Sequence, residues 1–193
     1  CNYHSLIQNF TSNLVNELDY CDIKYASAQY NVFGYLDYNL SNNNTFVYNK
    51  MLNYKFIHGA PTLIDSGFKV IIDLYKNKRI YDNNIFFVLI SDGDTLNRDI
   101  FKKTLNFYPF NSSKIINILI KVPSSSSDDY VFNLLNTSYR NLNCKDNPLE
   151  SIISSYNFCP LTTTTLTTTT LTTTTLTTTT FPTTTFLTTT FLT

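Results

Sequence analysis

The chain has 193 residues, of which 14 are basic and 14 acidic, so its formal net charge is zero. A neutral chain without basic runs lacks the charged surface that nucleic-acid binders and anionic-membrane binders use, and both classes of partner are excluded. The longest apolar run, residues 85–90, is far shorter than the roughly 20 residues that span a bilayer. The sequence therefore predicts no transmembrane segment.

Composition divides the chain sharply at Pro160. Every charged residue precedes that proline, whereas residues 161–193 are 23 Thr, 6 Leu, 3 Phe and 1 Pro, beginning with four copies of Leu-Thr-Thr-Thr-Thr. Such a segment has no means of building a packed core. Thr-rich tracts are typical of O-glycosylated, mucin-like stalks, although a repeat expansion without function is an alternative. We expect a folded domain over 1–160 and a disordered, low-complexity tail over 161–193.

Apolar spacing predicts the elements of the domain. In chain order they are helix 5–18, strands 23–30 and 32–36, helix 46–52, a brief strand 54–57, helix 63–75, strand 85–90, helix 96–105, strand 115–122 and helices 128–136 and 148–155. Ser5 and Gln8 are spaced as a capping box for the first helix. Residues 85–90 are apolar throughout, as in a strand buried on both faces. The pattern favours an α/β domain with a doubly wound, mainly parallel sheet and helices on both faces.

Two side chains follow predicted turns at the carboxyl ends of strands, where α/β proteins bind ligands. Asp92 ends the strand 85–90, and its carboxylate suits Mg²⁺ or Ca²⁺. Thr62 precedes a helix and could add a hydroxyl ligand. Both also have ordinary structural interpretations, Asp92 as a turn residue and Thr62 as a helix cap. His58 lacks a recognisable catalytic partner motif.

Three segments in order resemble a von Willebrand factor A-type (vWA) domain. Residues 86–94 (FFVLISDGD) are similar to that family's buried strand and Asp-Gly turn, and residues 59–68 (GAPTLIDSGF) to its threonine-bearing loop and helix. Residues 149–160 are similar to the closing helix and Cys-Pro exit of secreted invertebrate members. The resemblance implies a metal-ion-dependent adhesion site in which Thr62 and Asp92 hold Mg²⁺ or Ca²⁺. The family's first strand and its Asp-x-Ser-x-Ser motif are missing before Ser5, so we expect either a truncated chain or a degenerate member.

Further residues point to the cell exterior. Asn-x-Ser/Thr acceptor sites for N-glycosylation occur at Asn9, Asn39, Asn43, Asn111 and Asn136. Four cysteines without metal-site spacing are disulfide candidates: Cys1, Cys21, Cys144 and Cys159. All three pairings are open, and we expect Cys159 to pair near the base of the domain. The sequence begins with Cys1 rather than Met and contains no recognisable signal peptide, as expected for a fragment or a processed chain.

These features predict a secreted or cell-surface adhesion module on a glycosylated stalk, which binds an extracellular protein or glycan without catalysing a reaction. One alternative is a degenerate structural coat protein without a metal site. A second is a hydrolase-type enzyme that uses Asp92 and His58 on a Rossmann-like sheet.

Overall fold

A computed structural model describes residues 2–56, 63–78, 85–107, 115–123, 129–135, 137–159 and 184–190. The helices are Tyr3–Glu17 (α1), Asn44–Leu52 (α2), Ile64–Lys78 (α3), Arg98–Leu105 (α4), Tyr130–Leu134 (α5) and Leu149–Ser155 (α6). The strands are Ile23–Tyr30 (β1), Gly34–Ser41 (β2), Ile85–Ser91 (β3), Ile115–Lys121 (β4), Tyr139–Asn141 (β5) and Thr184–Thr190 (β6).

One six-stranded sheet forms the centre of the fold, in the order β2-β1-β6-β3-β4-β5. The five neighbouring strands β1, β6, β3, β4 and β5 are parallel to one another. Strand β2 pairs with β1 in the antiparallel direction. Every residue of β3 is buried, as the apolar run predicts. Because a parallel sheet is covered on both faces, such strands are apolar throughout rather than alternating.

The core consists of two apolar clusters on opposite faces of the sheet. Phe86 and Val88 of β3 pack with residues of α1, α2 and α6, whereas Phe87 and Leu89 pack with residues of α3, α4 and α5. Alternate residues of one strand thus serve both clusters, because successive side chains of a strand point to opposite faces. The predicted α/β class, with a mainly parallel sheet and helices, is confirmed, whereas the finer assignments to a doubly wound sheet and to a vWA-type fold stay predictions.

Local departures from the predicted elements have identifiable causes. The side chain of Asn2, not Ser5, caps α1 by accepting a hydrogen bond from the His4 N–H at 3.0 Å. Gln8 instead donates from Nε2 to the Tyr54 carbonyl at 2.8 Å. The predicted strand at 54–57 is absent over 54–56, where side chains bond backbone carbonyls; Ile57 lies outside the described residues. Strand β5 has three residues, too few for a periodic pattern.

The C-terminal tail contributes a strand to the middle of the sheet. Strand β6 pairs in parallel with β1 on one side and with β3 on the other, so that Leu187 lies in register with Ala26 and Phe87. The sequence predicts no packed structure for residues 161–193, and β6 departs from that expectation. Between β1 and β3, the backbone of β6 has hydrogen-bonding partners on both sides, and the repeat alone cannot provide such partners. Residues 160–183 and 191–193 lie outside the described residues.

A disulfide joins Cys21, just before β1, to Cys159, just after α6, with 5.4 Å between their Cα atoms. Cys144 is also disulfide-bonded, and no described cysteine is free. The bond to Cys21 resolves one of the pairings that the sequence leaves open. Within the described part of the chain, no helix is long and apolar enough to cross a membrane.

Candidate functional site

The carboxyl ends of β1, β3 and β4 lie at one edge of the sheet, because these strands are all parallel. We call this the carboxyl edge. It comprises residues 31–33 after β1, residues 63–64 at the start of α3, residues 92–97 after β3 and residues 129–130 at the start of α5. Open α/β sheets bind ligands outside the carboxyl ends of their strands. This edge is therefore the first place to look for function.

Asp92 lies at the centre of the carboxyl edge, directly after the last residue of β3. Its residue surface is 6% exposed, and its Oδ1 accepts a hydrogen bond from the Asp94 N–H at 3.3 Å. Gly93 follows with φ = 97°, a conformation that residues with a side chain rarely adopt. The Gly93 N–H donates to Ser91 Oγ at 3.1 Å. These bonds hold the Asp-Gly turn in one conformation and keep the Asp92 carboxylate close to the sheet.

Hydrogen bonds link the turn after β1 to the loop after β3 through the start of α3. The Leu63 N–H donates to the Asn31 carbonyl at 2.8 Å, and the Ile64 N–H donates to Thr95 Oγ1 at 3.3 Å. The Thr95 N–H in turn donates to Asp94 Oδ1 at 2.7 Å. Three loops from distant parts of the chain are thus joined into one surface.

Tyr30 connects β1 to β3 inside this surface. Its hydroxyl lies 3.4 Å from Ser91 Oγ, and the side chain is fully buried. Burial raises the pKa of Tyr30 well above its usual value, and the negative charge of Asp92 raises it further against the opposing effect of the Ser91 hydrogen bond. Tyr30 therefore stays a neutral phenol at physiological pH, and its hydroxyl links β1 to β3 through the hydrogen bond with Ser91.

Exposed apolar and aromatic side chains flank the polar centre. Phe33 is 65% exposed in the turn after β1, and Leu96 is 68% exposed in the loop after β3. The Arg98 guanidinium lies 4.5 Å from the centre of the Tyr130 ring, and the Tyr130 hydroxyl donates to the Arg98 carbonyl at 3.2 Å. Sequence reasoning missed Phe33, because it placed that residue inside a strand over 32–36 rather than in a turn.

A cluster of hydrogen-bonded charged and polar side chains lies beside these residues, at the carboxyl end of β4 and the start of β5. Lys121 forms an ion pair with Asp129, whose Oδ2 also accepts a hydrogen bond from the Tyr139 hydroxyl at 3.0 Å. The Lys121 hydrogen bond is the main cause that lowers the pKa of Asp129, and the Tyr139 bond acts in the same direction against partial desolvation. Both charges are compensated locally, so this group shapes the edge without adding net charge.

The structure places the other predicted site residues as follows. Asp92 lies at the carboxyl edge, whereas Thr62 and His58 lie outside the described residues, so the predicted pairing of Thr62 with Asp92 stays a prediction. No group of three His, Cys, Asp or Glu side chains suited to a metal ion occurs among the described residues. Asn9, Asn39 and Asn43 are exposed, Asn43 as the cap of α2, and the glycosylation sites at Asn111 and Asn136 fall outside the described ranges.

Comparisons of the chain with protein-family models, with curated proteins and with solved structures give no match. The geometry of the carboxyl edge therefore carries the functional argument.

Proposed function

We propose that this chain is a non-enzymatic extracellular binding module that recognises a protein or glycan ligand at the carboxyl edge. The observation that carries the proposal is that two large apolar side chains, Phe33 and Leu96, are exposed at the carboxyl edge, which also holds the buried Asp92 turn. Large apolar side chains exposed together on a polar rim mark interaction surfaces more often than isolated ones do. A protein ligand fits these two side chains better than a glycan does.

The neighbouring residues support the same function. Aromatic and arginine side chains dominate the binding energy of many protein interfaces, and Arg98 stacked on Tyr130 is such a pair. The Val131 N–H donates to the Gly93 carbonyl at 3.0 Å, which fixes this pair relative to the Asp-Gly turn. A surface that is ordered before binding loses less conformational entropy when the ligand arrives.

A divalent cation is the second element of the proposal. Asp92 would offer a carboxylate oxygen to Mg²⁺ or Ca²⁺, and Thr62 a hydroxyl, as the resemblance to vWA domains implies. A carboxylate of the ligand would then complete the coordination. The cation would thereby offset the charge of the carboxylates at this edge, Asp92, Asp94 and Asp129, and allow an acidic ligand to bind.

The proposed location is the cell exterior, with the part of the Thr-rich tract that precedes β6, residues 161–183, as the glycosylated segment. The disulfide between Cys21 and Cys159 supports it, because such bonds persist in oxidising compartments. The exposed acceptor residues Asn9, Asn39 and Asn43 are accessible for glycosylation.

The test is a binding assay on the secreted full chain with matched surface variants. Purified extracellular-matrix proteins and an array of glycans would be probed with wild type, Phe33→Ser and Leu96→Ser. Phe107→Ser is the control, because Phe107 is 70% exposed but follows α4, which runs from the carboxyl edge towards the opposite edge where β4 starts. We expect the two edge variants to lose at least about 1 kcal/mol of binding free energy each, as interface anchors do, and the control to bind normally.

A chelator separates the cation from the apolar contacts. Loss of binding in EDTA, restored by Mg²⁺ or Ca²⁺ and abolished by Asp92→Ala, would support the metal mechanism. Binding that survives both treatments would refute that mechanism while leaving the apolar edge in place. If wild type binds neither panel, or if Phe107→Ser weakens binding as much as the edge variants, the proposed function is wrong and a structural coat protein is favoured.

A further inference from the structure

Strand β6 lies between β1 and β3, two strands that are buried along almost their whole length. We call the position between these two strands the groove. Seven of the eight residues of β1 and all seven residues of β3 are buried, and β6 pairs with both strands through its backbone. Without a strand there, β1 and β3 would each expose a row of unpaired N–H and C=O groups. The groove must therefore hold an extended segment for the fold to be stable.

The segment that fills the groove is joined to the domain through a long connection. The domain's last described residue before the tail is Cys159, fixed by its disulfide, and the 24 residues from 160 to 183 separate it from β6. Fully extended, a connection of that length reaches about 80 Å. It is therefore long enough to carry β6 into the groove of a neighbouring molecule as well as into its own.

We propose that the groove between β1 and β3 also accepts residues 184–190 of a second copy of this chain, so that copies become linked by exchange of β6. The exchanged strand would make the same backbone pairs as in the single chain, from Ile23 opposite Thr184 to Ala28 opposite Thr189. Because an exchanged element keeps its own contacts, the two states differ little in interaction energy. The inference concerns assembly and does not depend on any ligand of the carboxyl edge.

Protein concentration decides which state dominates. A strand joined to its own domain by 24 residues is presented to its own groove at an effective concentration on the order of 1 mM. Dilute chains should thus insert their own strand, and exchange should increase when chains fold or are packed together near that concentration. A dense layer of chains on a surface provides such conditions.

Paired positions in β1 and β6 provide a direct test. Lys24 is exposed and lies opposite Thr185 in the register. Neighbouring strands lie about 4.8 Å apart, within the Cα separations that a disulfide spans. Full-length chains carrying Lys24→Cys would be mixed with full-length chains carrying Thr185→Cys, unfolded in denaturant with the native disulfides kept, refolded together at increasing concentration and oxidised.

We expect a disulfide-linked heterodimer on non-reducing gels, increasing with protein concentration. Thr168→Cys is the matched control for the second chain, because the same substitution then lies in the same tail but outside β6. Thr188→Pro added to the Thr185→Cys chain should abolish the heterodimer, since proline removes a backbone N–H from a central strand. Thr168→Pro in that chain should leave it unchanged.

Three results would overturn the proposal. The first is heterodimer formation with Thr168→Cys equal to that with Thr185→Cys, which would indicate random collision. The second is an intramolecular bond in a chain carrying both Lys24→Cys and Thr185→Cys without any heterodimer in the mixture. The third is the absence of both bonds, which would show that β6 does not occupy the groove.

Discussion

Removing the disulfide between Cys21 and Cys159 should destabilise the domain strongly. The bond connects Cys21, shortly before β1, to Cys159, shortly after the last helix of the domain, with a sequence separation of 138. It therefore closes nearly the whole folded domain into one loop. A crosslink stabilises a protein mainly by reducing the conformational entropy of its unfolded chain, and the effect grows with the length of the loop.

The chain-entropy relation gives the magnitude. For a loop of this length in an otherwise uncrosslinked chain it gives an upper value of about 17 cal/mol/K for the entropy loss in the unfolded state, or about 5 kcal/mol at 25 °C. The bond at Cys144 already constrains the unfolded chain and lowers this value. Alanine is the suitable replacement, because Cys21 is buried in the apolar cluster and a serine hydroxyl there would add an unrelated penalty. The double variant Cys21→Ala with Cys159→Ala should thus lose between 2 and 5 kcal/mol, roughly the range measured for native disulfides.

Urea unfolding followed by circular dichroism measures both the free energy of unfolding and its dependence on denaturant. The uncrosslinked unfolded chain is more expanded, so the slope m should increase as the midpoint falls. The bond at Cys144 stays in place and keeps the comparison to one crosslink. A loss below about 1 kcal/mol with an unchanged slope would refute the reasoning, because it would mean that the unfolded chain is equally compact without the bond.

Three further predictions concern packing and electrostatics, and one of them includes a control substitution. Gly34→Ala should lower stability by about 1–3 kcal/mol in thermal unfolding, because the added Cβ would overlap the Ser66 carbonyl oxygen. An unchanged Tm would contradict the close contact of β2 with α3. Phe68→Ala should lose about 3–5 kcal/mol from the core, whereas Tyr20→Ala, 76% exposed, should stay within about 0.5 kcal/mol; equal losses would contradict the burial. Burial raises the pKa of Asp37 despite its hydrogen bonds, so the folded state binds its proton more tightly, and stability should fall as the pH rises from 3.8 through the raised pKa. Asp37→Asn should remove that part of the slope in pH-dependent urea unfolding, and a wild-type slope in the variant would contradict it.

Local patterns were enough to predict the elements whose burial is settled by their own residues. Strand β3 is apolar at every position before Ser91, and α3 has a strong apolar stripe, so both were predicted within a few residues. The cap of α1 was misassigned because a capping-box spacing also occurs one turn inside the helix that Asn2 begins. Such spacing identifies a helix start only when the preceding residues are not themselves helical.

The features that escaped prediction depend on contacts between distant parts of the chain. Residues 54–56 have the composition of a strand, but their position is fixed by the side chains of Gln8 and Gln29, which bond the carbonyls of Tyr54 and Lys55. Strand β6 belongs to a Thr-rich tract whose composition predicts no packed structure. It forms a strand because its position between β1 and β3 gives its backbone hydrogen-bonding partners on both sides. The exposure of Phe33 likewise follows from a turn between Asn31 and Gly34, residue types that favour turns but do not by themselves show where one strand ends and the next begins.

Strand β6 also sets the geometry of the carboxyl edge. Two strands that flank a third lie about 10 Å apart, and Tyr30 reaches across that gap from β1 to place its hydroxyl 3.4 Å from Ser91 Oγ at the end of β3. The spacing depends on the backbone that fills the groove and not on which chain supplies it. An exchanged strand would consequently preserve the edge that carries Phe33, Asp92 and Leu96. Chains linked in this way would present two or more intact edges together, and a ligand with repeated binding sites would then be held more tightly without any new contact.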